Sequence, residues 1–238
     1  MDKSNPILIY QMGKVGSQSI KFSIEEKNYK TEHLHWIGSV EPKAEFPTPN
    51  KKIFKSLKKK DGNYSVVVLV RNPMERNLSA FFQRIRRWTS KRPEYMSAKE
   101  VQIDFINRYD IDYPDKWFEE ELLGVLGLDV YKNPFPHKQG YKIYNANGNK
   151  ILILRLEDAE EKIEEAMSSF LGIRGVKMSR LGVYEKRNVG NDFIDKYKKI
   201  KSMRFPLHFI EKNYNLNFSK YFYTKKEIED FKGDWAYV

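Results

Sequence analysis

The sequence predicts an α/β fold in which helices flank a doubly wound, mainly parallel sheet. Two apolar runs carry this prediction: residues 6–11, and the β-branched run SVVVLV at 65–70, which is typical of a strand buried on both faces. Each run is followed by a segment with helical character. Strands that alternate with helices build parallel sheets, because the crossover helices cover the faces of the sheet.

The N-terminal half continues this alternation. We expect a helix over about residues 17–27, and the alternating pattern of residues 29–37 predicts a second strand. Residues 41–63 are rich in proline and lysine and predict a loop with a short helix. Pro73 stands in the first turn of the helix after the β-branched run, where a missing N–H breaks no helical hydrogen bond.

The C-terminal half begins with a hairpin and ends in helices. The pair Asn147-Gly148 predicts the hairpin turn before a strand at 151–155, and a charged helix over 158–171 is followed by Gly172, which favours a helix end. Two capping boxes mark further helix starts: Ser97 with Glu100, and Thr224 with Glu227. The length predicts a single domain over residues 1–238.

Composition narrows the classes of function. The net charge of +11 favours anionic partners such as a nucleotide, an acidic glycan, a membrane surface or nucleic acid. The chain has no cysteine, which excludes disulfides and thiolate zinc sites, and its four histidines argue against a histidine-rich metal centre. No apolar run approaches the roughly 18 residues of a membrane span, and the start lacks a secretory pattern. We therefore expect a cytoplasmic protein without a membrane span.

The stretch QMGKVGSQS follows the first predicted strand and resembles a phosphate-binding loop in composition. Its order is not that of a Walker A loop, GxxxxGK[ST], because Lys14 lies between Gly13 and Gly16. The N–H groups at a helix N-terminus still favour an anion, and Lys14, Ser17 and Ser19 add a charge and two hydroxyl donors. The alternative is a structural turn in which Ser17 is the helix N-cap.

A second polar group stands at the end of the β-branched strand. Arg71 follows the strand directly, and Ser79 comes eight residues later on the next predicted helix. Ligands of doubly wound sheets bind outside the carboxyl ends of the strands, so Arg71 is expected at the same edge as the glycine loop. An arginine can donate two parallel hydrogen bonds to a phosphate. Together the two segments predict a nucleotide with phosphates at two separate positions.

The pair QMGKVGSQSI and VLVRNPMERNLSAFF resembles the sulfotransferase family, whose donor is 3′-phosphoadenosine 5′-phosphosulfate (PAPS). A third segment, ILRLEDAEEKIEEAMSSFLGI, is similar to that family's strand, Glu-Asp turn and helix ending in FLG. The C-terminal stretch from RNVGNDFIDKYKK to FSKYFYTKKEIEDF is similar to a bacterial subgroup of putative capsular polysaccharide synthesis proteins. In the first segment, Ser17 or Gln18 replaces a threonine that many members have.

The resemblance implies a P-loop-like sulfotransferase fold and a set of cofactor contacts. The 3′-phosphate would be held by Arg71 and Ser79, and no metal would be required. The 5′-phosphosulfate would be held by the loop and first helical turn: Gly13, Lys14, Val15, Gly16, Ser17, Gln18 and Ser19. Lys14 would also act in catalysis by stabilising the leaving phosphate, and the product would be 3′,5′-ADP.

A general base must take the proton of the acceptor, and HLHWI supplies candidates. On a strand, His33 and His35 share one face, and His35 is nearer the carboxyl end. Some carbohydrate sulfotransferases have a similar His-x-His segment, which implies that His35 is the base. His33 and Glu32 are the other candidates for the base. The alternative interpretation is that both histidines have structural roles only.

Two rival functions remain open from sequence. A kinase-like P-loop enzyme would bind ATP with magnesium, although Arg71 stands where such an enzyme more often has an aspartate. A basic nucleic-acid-binding protein would cluster basic residues with exposed aromatics, whereas lysine and glutamate are interspersed here. We therefore expect a hydroxyl-bearing small molecule or saccharide as acceptor, and no nucleic acid partner; the sequence leaves the oligomeric state open.

Overall fold

A computed structural model describes residues 5–37, 51–59, 63–178 and 191–236. Residue contacts divide the chain into two compact units. The first comprises Met1–Arg71 and Pro114–Leu181, and the second comprises Asn72–Tyr113 and Gly182–Val238. The single domain over 1–238 stays a prediction.

The first unit is built on a five-stranded sheet with the order β2-β1-β3-β5-β4. Its strands are β1 Ile7–Tyr10, β2 Thr31–Leu34, β3 Ser65–Val70, β4 Tyr141–Ala146 and β5 Asn149–Arg155. Neighbouring strands pair in parallel except β4, which is antiparallel to β5. The predicted α/β architecture with a mostly parallel sheet is therefore confirmed.

Helices account for most of the remaining described chain. In chain order they are α1 Ser17–Glu25, α2 Lys51–Lys59, α3 Pro73–Gln83, α4 Ile85–Trp88, α5 Ala98–Arg108, α6 Tyr113–Trp117, α7 Ala159–Leu171, α8 Asn191–Lys201, α9 Leu207–Tyr214, α10 Asn217–Phe222 and α11 Lys225–Trp235. A π-helical segment, Phe118–Leu123, continues α6. Helices α1, α2 and α7 belong to the first unit, whereas α3–α5 and α8–α11 form the second.

The core of the first unit lies on the central strands. Every residue of β1 and of β3 is buried, as expected for parallel strands with covered faces. The hairpin between β4 and β5 turns at Asn147 and Gly148, both with positive φ of 46° and 76°. Such a pair matches the right-handed twist of the flanking strands, so the predicted hairpin is confirmed.

The second unit is helical and packs around aromatic side chains. The ring of Phe105 on α5 lies 5.1 Å from Phe81 of α3 and 5.4 Å from Phe209 of α9. Both predicted capping boxes form, at the starts of α5 and α11. Each box satisfies backbone donors that the first helical turn leaves without an intrahelical acceptor.

The strand order reverses beside β1. The chain passes from β1 to β2 on one side of β1 and then to β3 on the other. Loops that leave the carboxyl ends of β1 and β3 therefore flank a topological switch point, which is where ligands of open parallel sheets bind. The two loops are therefore the candidate functional site of the sheet.

Two boundaries differ from the sequence predictions. Strand β2 ends at Leu34, where the backbone N–H of Gln11 makes the last bond to it, so His35 lies beyond the strand that was predicted over 29–37. Helix α1 is capped by Gly16 rather than Ser17. Helix α2 is the short helix predicted within 41–63, and residues 41–50 and 60–62 lie outside the described residues, as do 187–190 of the C-terminal motif.

Candidate functional site

The loop between β1 and α1 turns on three residues in the left-handed region. Gly13 has φ 89°, Lys14 has φ 64° and Gly16 has φ 80°. Glycine adopts this region without penalty, whereas a lysine there carries strain of about 1–2 kcal/mol. Strained residues of this kind concentrate at ligand-binding sites. Lys14 is thus held by the loop in a conformation that its own side chain does not favour.

Gly16 brings the start of α1 close to the turn after β5. A Cβ atom at this position would lie 2.6 Å from Cδ1 of Leu156, so the Leu156 side chain would have to move to admit it. No side chain caps α1 and its first turn has no acidic residue. The partial positive charge of this helix end is therefore not offset by the helix's own residues.

Arg71 joins the end of β3 to this loop. Its Nη1 donates to the backbone carbonyl oxygen of Lys14 over 3.3 Å. Both residues are partly exposed. Two cationic residues and a helix terminus without a side-chain cap therefore meet at the switch point, which is an arrangement that attracts an anion.

The two histidines of HLHWI lie next to the same loop. Their ring centroids are 4.8 Å apart, and His33 pairs with Ile9 of β1 in the sheet. The side chain of Gln11 connects them: its Nε2 is 2.7 Å from Nε2 of His33 and 3.2 Å from Nδ1 of His35. Gln11 is completely buried.

The orientation of the Gln11 amide fixes the tautomer of His33. The backbone N–H of Gly13 donates to Oε1 of Gln11, so the amide NH₂ group must face the histidines. Nε2 of His33 then accepts a hydrogen bond, and the ring proton lies on Nδ1. The side-chain amide of Gln18 lies 3.2 Å from Nδ1 and accepts from it once the amide presents its oxygen. Burial, with the charges of His35 and Lys21, lowers the pKa of His33 to about 4. His33 is therefore neutral at pH 7.

His35 is held by backbone contacts on two sides. Its Nδ1 lies 3.1 Å from the carbonyl oxygen of Gln11, and its own carbonyl oxygen accepts a 2.8 Å hydrogen bond from the indole of Trp117. The amide NH₂ of Gln11 also lies 3.2 Å from Nδ1, so Nδ1 either accepts from that amide or carries a proton that it donates to the Gln11 carbonyl. A proton on Nδ1 leaves Nε2 as the basic atom. This is the tautomer that a general base acting through Nε2 requires.

A buried carboxylate fixes the segment that follows His35. The backbone N–H of Ile37 donates to Oε2 of Glu121 over 2.8 Å, and the hydroxyl of Tyr10 donates to the same oxygen. Glu121 is fully buried and lies four residues after Trp117, within the π-helical segment. Both side chains thus hold the chain around His35 from one element.

The other residues predicted for the loop and for the general base differ in exposure and in the face of the sheet they occupy. Val15, Ser17 and Ser19 are buried, whereas Gln18 is exposed. Glu32 precedes His33 on β2 and points to the opposite face of the sheet, because successive side chains of a strand alternate. Of the three base candidates, the histidines are therefore those beside the glycine loop.

Ser79 lies on α3 and is buried within the second unit. Its predicted contact with a phosphate stays a prediction. Among the described residues, no group of three or more histidine, aspartate or glutamate side chains is arranged to hold a metal ion.

Comparison with protein families bears on the second half of the chain. The NKWYS family, described as putative capsular polysaccharide synthesis protein, matches residues 102–224, which is more than half of the sequence. The chain belongs to this family. No curated protein and no solved structure matches the chain. None of the helices in the described ranges is both long and apolar enough to cross a membrane.

The match confirms the predicted likeness to capsular polysaccharide synthesis proteins. It spans the chain from within α5 to the cap of α11 and includes Trp117 and Glu121. The glycine loop, the two histidines and Arg71 lie before the matched range. The likeness to sulfotransferases, which was predicted from those N-terminal segments, stays a prediction.

Three residues of the site were not nominated from sequence. Gln11 gives a local signal, because it is a polar residue placed directly after the apolar strand PILIY. Trp117 and Glu121 give none. They reach the His35–Ile37 segment across more than 80 residues of chain, and a contact of that separation leaves no local pattern.

Proposed function

We propose that this protein is a sulfotransferase that moves a sulfuryl group from PAPS to the hydroxyl of a saccharide or small-molecule acceptor. The observation that carries the proposal is the link between Arg71 and the carbonyl of Lys14 at the switch point of the sheet. This hydrogen bond joins two cationic residues beside a left-handed glycine loop and a helix start without a side-chain cap. A donor with phosphate groups and a sulfuryl group matches that combination of charges.

The proposed reaction is an in-line transfer. The sulfur–oxygen bond to the 5′-phosphate breaks while the acceptor oxygen forms a new bond to sulfur. The leaving 3′,5′-ADP keeps the electron pair of the broken bond, and Lys14 with the backbone N–H groups of the α1 start stabilises that charge. Arg71 binds the 3′-phosphate, which fixes the orientation of the donor.

His35 is the proposed general base. Its Nε2 takes the proton of the acceptor hydroxyl, and the resulting positive ring keeps donating from Nδ1 to the carbonyl of Gln11. His33 is a poorer candidate, because its pKa of about 4 and its acceptor bond from Gln11 leave its Nε2 weakly basic. The proposal therefore separates the roles of two adjacent histidines.

Family membership supports a saccharide acceptor. The family is described by capsular polysaccharide synthesis, and a polysaccharide presents many hydroxyl groups. The net charge of +11 suits an acidic glycan as well as the anionic donor. In fold terms, the proposal is that the α/β unit is a P-loop-like sulfotransferase domain.

The test is thermal unfolding with 3′,5′-ADP, compared with ATP plus magnesium. A ligand at about 100 times its Kd stabilises the folded state by roughly 2.7 kcal/mol, which raises the Tm by about 5–10 °C for a chain of this size. We expect this shift with 3′,5′-ADP alone. Lys14→Ala and Arg71→Ala should abolish it.

Lys132→Ala is the matched control, because Lys132 is an exposed lysine that pairs only loosely, at 3.9 Å, with Asp129. It removes one positive charge without touching the glycine loop, and its shift with 3′,5′-ADP should equal that of the natural protein. A magnesium-dependent shift with ATP and none with 3′,5′-ADP would overturn the proposal in favour of a kinase-like enzyme.

A further inference from the structure

The side chain of Gln11 is in direct contact with both the glycine loop and the histidine pair. Its Oε1 accepts the N–H of Gly13, and its Nε2 reaches one nitrogen of each ring. A completely buried amide must satisfy its hydrogen bonds inside the protein, and here all of these partners belong to the candidate site.

We propose that Gln11 is a positioning residue that ties the conformation of the glycine loop to the tautomer of His33. This inference rests on the proposed sulfotransferase function for its catalytic meaning. Gln11 itself touches neither donor nor acceptor in this proposal. It acts by deciding which ring nitrogen of His33 carries the proton.

The direction of each hydrogen bond follows from the one contact that cannot be reversed. A backbone N–H only donates, so the Gly13 bond fixes Oε1 as acceptor and NH₂ as donor. The 2.7 Å contact then makes Nε2 of His33 an acceptor. With that nitrogen occupied, His33 is kept neutral and cannot compete with His35 for the proton of an acceptor.

The hydrogen bond from Gly13 to Gln11 also stabilises the glycine loop. While Gly13 N–H donates to Gln11, it is committed to the protein and holds the left-handed turn at Gly13 and Lys14. The loop is thereby formed before any anion arrives, which removes part of the ordering cost of binding. Loop shape and ring protonation thus depend on one amide.

The charged groups around the rings are few among the described contacts. Lys21 of α1 acts on His33, the rings act on each other, and Glu121 binds the backbone two residues after His35. Gln11, Gln18 and Trp117 are neutral. A carboxylate at position 11 would therefore place an acidic group directly against Nε2 of His33.

Gln11→Glu gives a sharp test, because it keeps the shape and the acceptor for Gly13 but replaces the donor by an acceptor. We expect His33 to move its proton to Nε2, and its pKa to rise well above about 4. Long-range ¹H–¹⁵N spectra of the histidine rings report which nitrogen is protonated. His33→Asn assigns the His33 signals by their loss.

Gln18→Glu is the matched control. It places the same carboxylate near Nδ1 of His33, at the 3.2 Å contact, where the proton already lies. The ring should keep the Nδ1–H tautomer in this variant. A natural protein with His33 protonated on Nε2 at pH 7, or a Gln11→Glu variant with an unchanged His33 tautomer, would overturn the inference.

The thermal shift with 3′,5′-ADP is measured on the same samples. Binding together with an inverted tautomer in Gln11→Glu supports both proposals. Binding without the inversion overturns the role of Gln11 and leaves the donor site standing. Inversion without binding overturns the sulfotransferase, and with it the catalytic meaning of the tautomers.

Discussion

The turns that follow β1 and β3 both lead from a buried parallel strand into a helix, yet the two helices start differently. At α3, the Asn72 side chain accepts hydrogen bonds from the backbone N–H groups of Met74 and Glu75, at 3.0 and 3.3 Å. Glu75 also places a negative charge in the first turn. At α1, the cap is Gly16, and neither feature is present.

The difference shows what each turn offers to a ligand. A helix that uses its own side chains to satisfy its first N–H groups presents little unbalanced charge. The β3 turn therefore contributes a side chain, Arg71, whereas the β1 turn contributes backbone donors beside Lys14. Two turns with the same connectivity thus present two kinds of hydrogen-bond donor to an anion.

The largest effect that separates the two turns is expected from pH. The β1 turn contacts His33 through the side chain of Gln11. The pKa of His33 is lowered from 6.5 to about 4, chiefly by burial. Between these values the unfolded chain binds a proton that the folded chain does not bind. The stability present above pH 6.5 is therefore lost as the pH falls towards 4, by about 3 kcal/mol in total.

His33→Asn should remove this loss. Urea unfolding of the natural protein and the variant, at pH 7 and at pH 4, gives the difference in free energy directly. We expect the gap between the two proteins to change by about 3 kcal/mol across this range. An unchanged gap would mean that His33 has the same pKa in the folded and the unfolded protein, so burial would not hold its ring neutral between pH 6.5 and pH 4.

Much of the fold was predictable because its signals are local. The run SVVVLV gave β3, the pair Asn147-Gly148 gave the hairpin, and the two Ser/Thr-to-Glu spacings gave the capping boxes. Each depends on neighbouring residues only. The end of β2 was less predictable, since alternation continues through His35 and Trp36 while pairing with β1 stops at Leu34.

The site was predictable in part for the same reason. Glycines, Lys14 and the histidines are visible as short motifs, and parallel topology brings strand ends to one edge. The N-cap was misassigned in the alternative interpretation because serine usually caps helices, whereas here the left-handed backbone at Gly16 and its contact with Leu156 decide the start. The contacts of Trp117 and Glu121 with the segment from His35 to Ile37 could not be predicted, because they depend on tertiary packing alone.

A second, smaller effect tests whether Gly16 is needed for its shape. Gly16→Ala must place a side chain at φ 80° and 2.6 Å from Leu156. We expect a loss of about 2 kcal/mol in unfolding free energy, since the left-handed backbone alone costs about 1–2 kcal/mol, together with loss of the 3′,5′-ADP shift.

Gly172→Ala is the matched control for that backbone cost. Gly172 caps α7 at φ 70°, and a Cβ there would meet nothing within 4 Å. Its variant should lose about 1 kcal/mol and keep the ligand shift. Equal losses for both glycines would show that the contact with Leu156 contributes nothing to the β1 turn.

The smallest effect compares the first polar residue of each helix. Asn72→Ala removes the side chain that caps α3 and accepts a hydrogen bond from the buried Tyr214 hydroxyl, and should cost about 1–2 kcal/mol in unfolding free energy. Ser17→Ala should change it by less than about 0.5 kcal/mol, because the Ser17 side chain does not cap α1. Chemical unfolding measures both values.

A Ser17 hydroxyl that donates a hydrogen bond to a phosphate of the bound nucleotide would act on binding and not on stability. The Ser17→Ala variant should then bind 3′,5′-ADP about tenfold more weakly at unchanged stability, since a hydrogen bond to a charged group contributes about 1.5 kcal/mol. A Ser17 variant as unstable as the Asn72 variant would show that α1 is capped like α3, and the distinction between the two turns would fall.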